Sequence, residues 1–160
     1  MLYKHLKFLH LSGLCLFIAS MIIYLLVDFV PGAEEAATVI LNGRHLINIA
    51  TWGLAAPALV LLFFSGLMMI MKTGAKFEGR RWLVFHLFLA ALSMLLSAVA
   101  LIPLGSEIYI VAQILPQDPG IIAEYFMLKK YEFILAVVIL CLVIIAAYLA
   151  ITKPRLKKQS

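Results

Sequence analysis

The chain has 160 residues, 65% of them hydrophobic and 13% charged, with a mean hydropathy of +1.09. A soluble domain carries about 25% charged and about 45–50% apolar residues, and a core this small cannot hide the excess, so lipid must solvate much of the surface. The net charge of +5 and pI near 9.3 would suit nucleic acid in a soluble protein; here the basic residues flank apolar runs, where topology and anionic lipid account for them better.

Four stretches, 8–27, 46–71, 82–106 and 133–152, contain no Asp, Glu, Lys or Arg. Each reaches the roughly 20 residues a helix needs to cross about 30 Å of hydrocarbon, and an open strand edge in lipid would leave backbone groups unpaired. The expected fold is an all-α integral membrane protein, a four-transmembrane-helix bundle forming one domain over 1–160. Its spans are placed at about 6–29, 45–71, 82–105 and 131–152, with an outer segment at 106–130.

The first apolar run follows Lys4 and Lys7. It is too long for a signal-peptide core of about 7–15 residues and lacks a clean small-x-small site, so the first helix is expected to remain as an anchor. His10 opens it, and Gly13, Phe17, Ser20 and Tyr24 continue the same face at helical spacing. Gly13 would leave room for a flat ligand beside His10. Cys15 here, like Cys141 in the fourth span, reads as an apolar packing residue, and no CxxC or CxxCH occurs, which argues against attached c-type haem and a disulfide framework. Pro31 and Gly32 make the short outer turn that follows.

Pro57 kinks the second span, Ser65-Gly66 permits close helix contact, and Trp52 and Tyr24 are the aromatic residues best placed to touch a cofactor. Met68, Met69 and Met71 fit packing better than copper. In the third span His86 heads a stripe of small residues, Ala90, Ser93, Ser97 and Ala100. Apolar sequence runs on to Leu115 before Pro116-Gln117-Asp118-Pro119-Gly120 breaks it, and Asp118 before Pro119 is a helix start. The third and fourth helices are therefore expected to protrude, or this segment to form a cap.

Ten cations, Lys4, Lys7, Lys72, Lys76, Arg80, Arg81, Lys153, Arg155, Lys157 and Lys158, fall on one side of the spans, against Arg44, Lys129 and Lys130 on the other. The positive side is the cytoplasmic one, which places both termini in the cytoplasm and the protein in the cytoplasmic (inner) membrane.

A titratable group inside lipid faces the protein interior and is a functional candidate by default. His10 lies three residues past Lys7 and His86 five past Arg81, on spans running the same way, so their depths differ by only about 3 Å. Two imidazoles on facing helices can hold a b-type haem iron axially, with Gly13, Phe17 and Ala90 lining the macrocycle. The same residues also read as interfacial histidines bonded to backbone or headgroups, or as serving another metal or a proton. His5 reads as interfacial. On the outer side Asp28, His45 and Glu132 are candidate metal ligands, with Met127 a weaker partner, and they equally read as a charge network with Arg44, Lys129 and Lys130.

Leu6-Lys7-Phe8-Leu9-His10, the stretch from Pro57 to Gly66, Trp82-Leu83, and a fourth span from Glu132 to Thr152-Lys153-Pro154 resemble the small four-helix membrane proteins of the HemJ-type protoporphyrinogen oxidases and the CopD-type copper-resistance domains. The resemblance implies haem b held by His10. The HemJ-type third helix reads Trp-Leu-His-x-Lys; Val84 stands at its histidine, His86 at its lysine, and Leu26 and Val27 at its late first-helix arginine. These departures bear against the porphyrinogen-oxidising activity that the resemblance implies, and they leave haem binding open. The expected function is a haem-dependent electron carrier or membrane oxidoreductase meeting a quinone or a redox partner protein. The alternatives are a non-catalytic membrane subunit or assembly factor of a homo- or hetero-oligomeric complex, and a copper-handling protein.

Overall fold

The computed structural model describes residues 2–28, 37–73 and 81–153, and every regular element among them is helical. Helix α1 (Leu2–Asp28) is the first span. Helix α2 (Ala37–Ala50) passes through a π-helical turn at Thr51–Ala55 into α3 (Ala56–Thr73), making the second. Helix α4 (Arg81–Leu96) passes through a π-helical turn at Ser97–Leu101 into α5 (Ile102–Ile114), making the third. A 3-10 turn at Pro119–Ile121 leads into α6 (Ile122–Thr152), the fourth.

All four spans are long and apolar enough to cross a membrane. They are longer than the sequence suggests: the second reaches back to Ala37 and the third runs on to Ile114, so the expected outer segment 106–130 is helical on both sides of a short break. With 31 residues, α6 is about 46 Å long, more than the about 30 Å of hydrocarbon that an upright span must cross. Asp118 starts this segment as the sequence implies, its Oδ1 accepting the Gly120 N–H at 3.0 Å.

Both π-helical turns have the same cause. Ala56 N–H bonds to the Thr51 carbonyl and Ile102 N–H to the Ser97 carbonyl, one residue wider than an α-helical bond, and the next residue in each case is a proline, Pro57 or Pro103. Proline has no N–H to give and its ring presses on the carbonyl four residues back, which a wider turn relieves. The extra residue advances the register, so that Thr51 and Ala55 face inward while Trp52 is 58% exposed. Trp52, an aromatic residue expected to touch a cofactor, thus stands on the outer surface of the second span rather than in the core.

Helix α1 lies along α3, and α4 along α6; α2 meets α5, and α6 meets α1 and α5. The mid-bundle core joins Phe17, Met21 and Tyr24 to Ile47, Ala58, Leu59, Leu101, Ala136, Ile139 and Val143. A second cluster, Ile40, Ile108, Ala112, Leu115 and Tyr125, closes the end away from the chain termini, here called the distal end. At the opposite, proximal end the bundle resolves into two helix pairs, α1 with α3 and α4 with α6, and neither α1 nor α3 packs extensively on α4.

The face predicted to point inward on α1 does so: Gly13, Phe17, Ser20 and Tyr24 are all buried. Gly13, however, does not open a slot beside His10. A Cβ there would stand 3.2 Å from side-chain atoms of Leu61 and Leu62 and 3.3 Å from the Ala58 carbonyl. The hydrogen is what lets α1 settle against α3, as small residues do between membrane helices. Cys15 and Cys141, expected in packing, are exposed on the lipid-facing surface, and Met68 and Met71 are exposed beside them in character.

Candidate functional site

Polar side chains gather at two levels of this apolar bundle. The first is proximal and belongs to the two intramembrane histidines. His10 Nδ1 lies 3.0 Å from Ser65 Oγ on α3, and the ring rests on Gly66, where a Cβ would come within 3.4 Å of its Cε1. Ser65 Oγ donates its one hydrogen to the Leu61 carbonyl, the back-bonding common for serine in a membrane helix. The hydroxyl is thus left as an acceptor, and His10 Nδ1 carries the proton. His86 Nδ1 lies 2.9 Å from the Ala146 carbonyl on α6. A carbonyl only accepts, so this Nδ1 is also protonated.

Both imidazoles therefore present Nε2 with its lone pair, and both are half-buried. Tying Nδ1–H to the protein and turning Nε2 outward is the arrangement by which proteins fix a ligating histidine. In their neutral form both rings have a lone pair on Nε2, the atom with which an imidazole could ligate a metal. Of the residues expected to line a macrocycle, Phe17 is fully buried in the mid-bundle core and Ala90 half-buried on α4, while the space at Gly13 is filled by α3. His5 is exposed, as its interfacial reading requires.

The second level is distal. Arg44 and Glu132 are 2% and 1% exposed and form an ion pair between α2 and α6. Arg44 Nε also donates to the Tyr125 hydroxyl at 3.0 Å, and its guanidinium stands 5.4 Å from the centroid of that ring. Close by, Tyr24 on α1 bonds to Thr51 at the start of the π-helical turn. Thr51 Oγ1 gives its hydrogen to the Ile47 carbonyl at 2.8 Å, so the tyrosine is the donor to Thr51. Gly105 on α5 completes the group: a Cβ there would begin 3.0 Å from Glu132 Oε1 and 3.4 Å from the Tyr24 hydroxyl. The group draws on every span.

Two of the outer metal candidates, Glu132 and His45, have different partners. Glu132 turns inward to Arg44, whereas His45, the next residue along α2, turns outward to the Tyr109 hydroxyl at 3.2 Å. Successive helical positions point about 100° apart, so the two cannot share an ion with each at its present partner. Asp28, the third candidate, has its side chain outside the described residues, and Met127 is exposed. Among the described residues no group of three His, Cys, Asp or Glu side chains is gathered as metal ligands. The Arg44–Glu132 pair is the part of the charge-network reading that the described residues contain. Sequence reasoning placed Arg44 and Glu132 at one level but missed their burial and the part taken by Tyr125, for which Tyr125's position two turns before Glu132 on one face was the available signal.

Residues 4–154 match the profile of a family described as predicted integral membrane protein (DUF2269), and the chain belongs to that family. No curated protein and no solved structure matches it.

Proposed function

We propose that this DUF2269 integral membrane protein holds a b-type haem through His10 and His86 and takes part in electron transfer within the membrane. The observation that carries the proposal is the pair of Nδ1 tethers, each ring being bonded through Nδ1 to its own neighbouring helix, which would make Nε2 the ligating atom. Such a haem supplies a one-electron carrier whose potential the surrounding apolar helix faces tune. The chain's own contribution is to orient two neutral imidazoles, to exclude water with α3 and α6, and to keep α1 and α4 from closing on one another. The resemblance of the stretch around His10 to HemJ-type proteins supports the same cofactor. Neither the outer copper site nor porphyrinogen oxidation draws comparable support from these residues.

The exposed cations Lys4, Lys7, Lys72, Arg81 and Lys153 at the proximal end support a cytoplasmic position for that end and for both termini. A quinone in the bilayer or a redox partner protein at the surface is the electron partner this position suits. The test is purification after expression with ample haem supply. A Soret band, and a reduced α band whose pyridine adduct is that of haem b, are expected at one haem per chain; protein that remains colourless under haem-replete conditions contradicts the reading.

A further inference from the structure

Resting on the haem reading, we infer that Lys7 and Lys153 form a two-point anion subsite at the proximal mouth, which takes the two propionate carboxylates of the haem and so fixes which edge of the macrocycle faces the terminal end. Lys7 lies three residues before His10, on the same face of α1 and about 4.5 Å nearer the mouth. Trp82 lies four residues before His86, on the same face of α4 and about 6 Å nearer the mouth. The Lys153 ammonium, from the end of α6, stands 6.0 Å from the centroid of that indole. Each histidine thus has one ammonium about one turn below it, contributed from each of the two helix pairs.

Both cations are placed by neighbouring rings. Lys7 Nζ is 4.8 Å from the centroid of Tyr3, as Lys153 is held against Trp82. Lys153 also closes α6 in the left-handed conformation, φ 44°, with its N–H on the Leu149 carbonyl. That conformation favours glycine and is held at a lysine here, at the point where the chain must turn an ammonium back toward Trp82. Among the described residues neither ammonium has a carboxylate partner. A ligand with a flat apolar body and two carboxylates on one edge complements this geometry: the body lies at the level of the histidines, and the carboxylates lie at the water boundary, where lysine stems reach.

The experiment is a titration of the apoprotein, in detergent, with haem b and with its dimethyl ester, read by the Soret band and by the reduction potential. Wild type is expected to bind the free acid about tenfold more tightly than the ester, while Lys7→Gln and Lys153→Gln each lower affinity for the acid about threefold to fivefold and leave the ester unaffected. The double variant should no longer distinguish acid from ester, whereas Lys4→Gln, a cation six residues before His10 and so about 120° round α1 from it, should retain the full preference. Equal binding of acid and ester by wild type, or an equal loss in Lys4→Gln, overturns the subsite while leaving haem binding in place. Absence of a Soret band with either ligand overturns both.

Discussion

Glu132→Ala is expected to be the most damaging single substitution in the bundle, costing about 3–5 kcal/mol of stability. The substitution removes the carboxylate that faces the Arg44 guanidinium, which is 2% exposed, and a cation cannot shed its charge as a carboxylate can. The Tyr125 hydroxyl keeps its bond to the guanidinium. Removing both partners with apolar side chains of similar volume, as in Arg44→Met with Glu132→Leu, should recover most of the loss, because no charge is then left buried. Chemical unfolding in mixed micelles, followed by helix content, measures all three. A Glu132→Ala protein that unfolds within about 1 kcal/mol of wild type would show that the pair does not hold the distal end together.

His10→Ala and His86→Ala are expected to act in the opposite manner: little change in stability, complete change in colour. Each removes one tether, Ser65 from His10 or the Ala146 carbonyl from His86, worth about 0.5–1.5 kcal/mol. The hydrophobic core and the Arg44–Glu132 pair lie further along the bundle and remain. A haem held by both imidazoles would lose one of its two protein ligands in either variant, so the spectrum of the bis-histidine form should disappear from both, and the double variant should bind no haem. Spectra unaltered by His86→Ala would remove that residue from the site. Ser65→Ala is the gentler companion: it leaves His10 in place and releases its Nδ1, so a shift in potential without loss of the band is the expected outcome.

Much of this architecture is legible in the letters because lipid imposes simple rules. Charge-free stretches of sufficient length give the four spans, and Asp118-Pro119 gives the start of the last. The 3.6-residue period carries the buried face of α1 through Gly13, Phe17, Ser20 and Tyr24 without interruption, since nothing in that helix perturbs it. The same rule fails in the second span. Pro57 announces a disturbance, but whether it is absorbed as a kink or as a π-helical turn depends on packing, and the latter swings Trp52 to the lipid.

The candidate sites divide in the same way. Matching depth for His10 and His86 follows from rise per residue and their distance from the flanking cations, so it can be computed from the sequence. Their partners cannot: Ser65 and the Ala146 carbonyl are chosen by which helix lies alongside, and so are the tautomers that follow. Arg44 and Glu132 are 88 residues apart in sequence, and only the folded bundle decides that the carboxylate meets the guanidinium rather than His45. Gly13 has two meanings, a gap for a ligand or a seat for a helix, and the approach of Leu61 and Leu62 selects the second.

The measurement that bears most directly on the central claim is the electron paramagnetic resonance spectrum of the oxidised, haem-loaded protein. Two histidine ligands on one ferric iron require a low-spin signal that both His10→Ala and His86→Ala convert to high spin. A high-spin signal in the wild-type protein, or a low-spin signal indifferent to either substitution, would place the iron elsewhere.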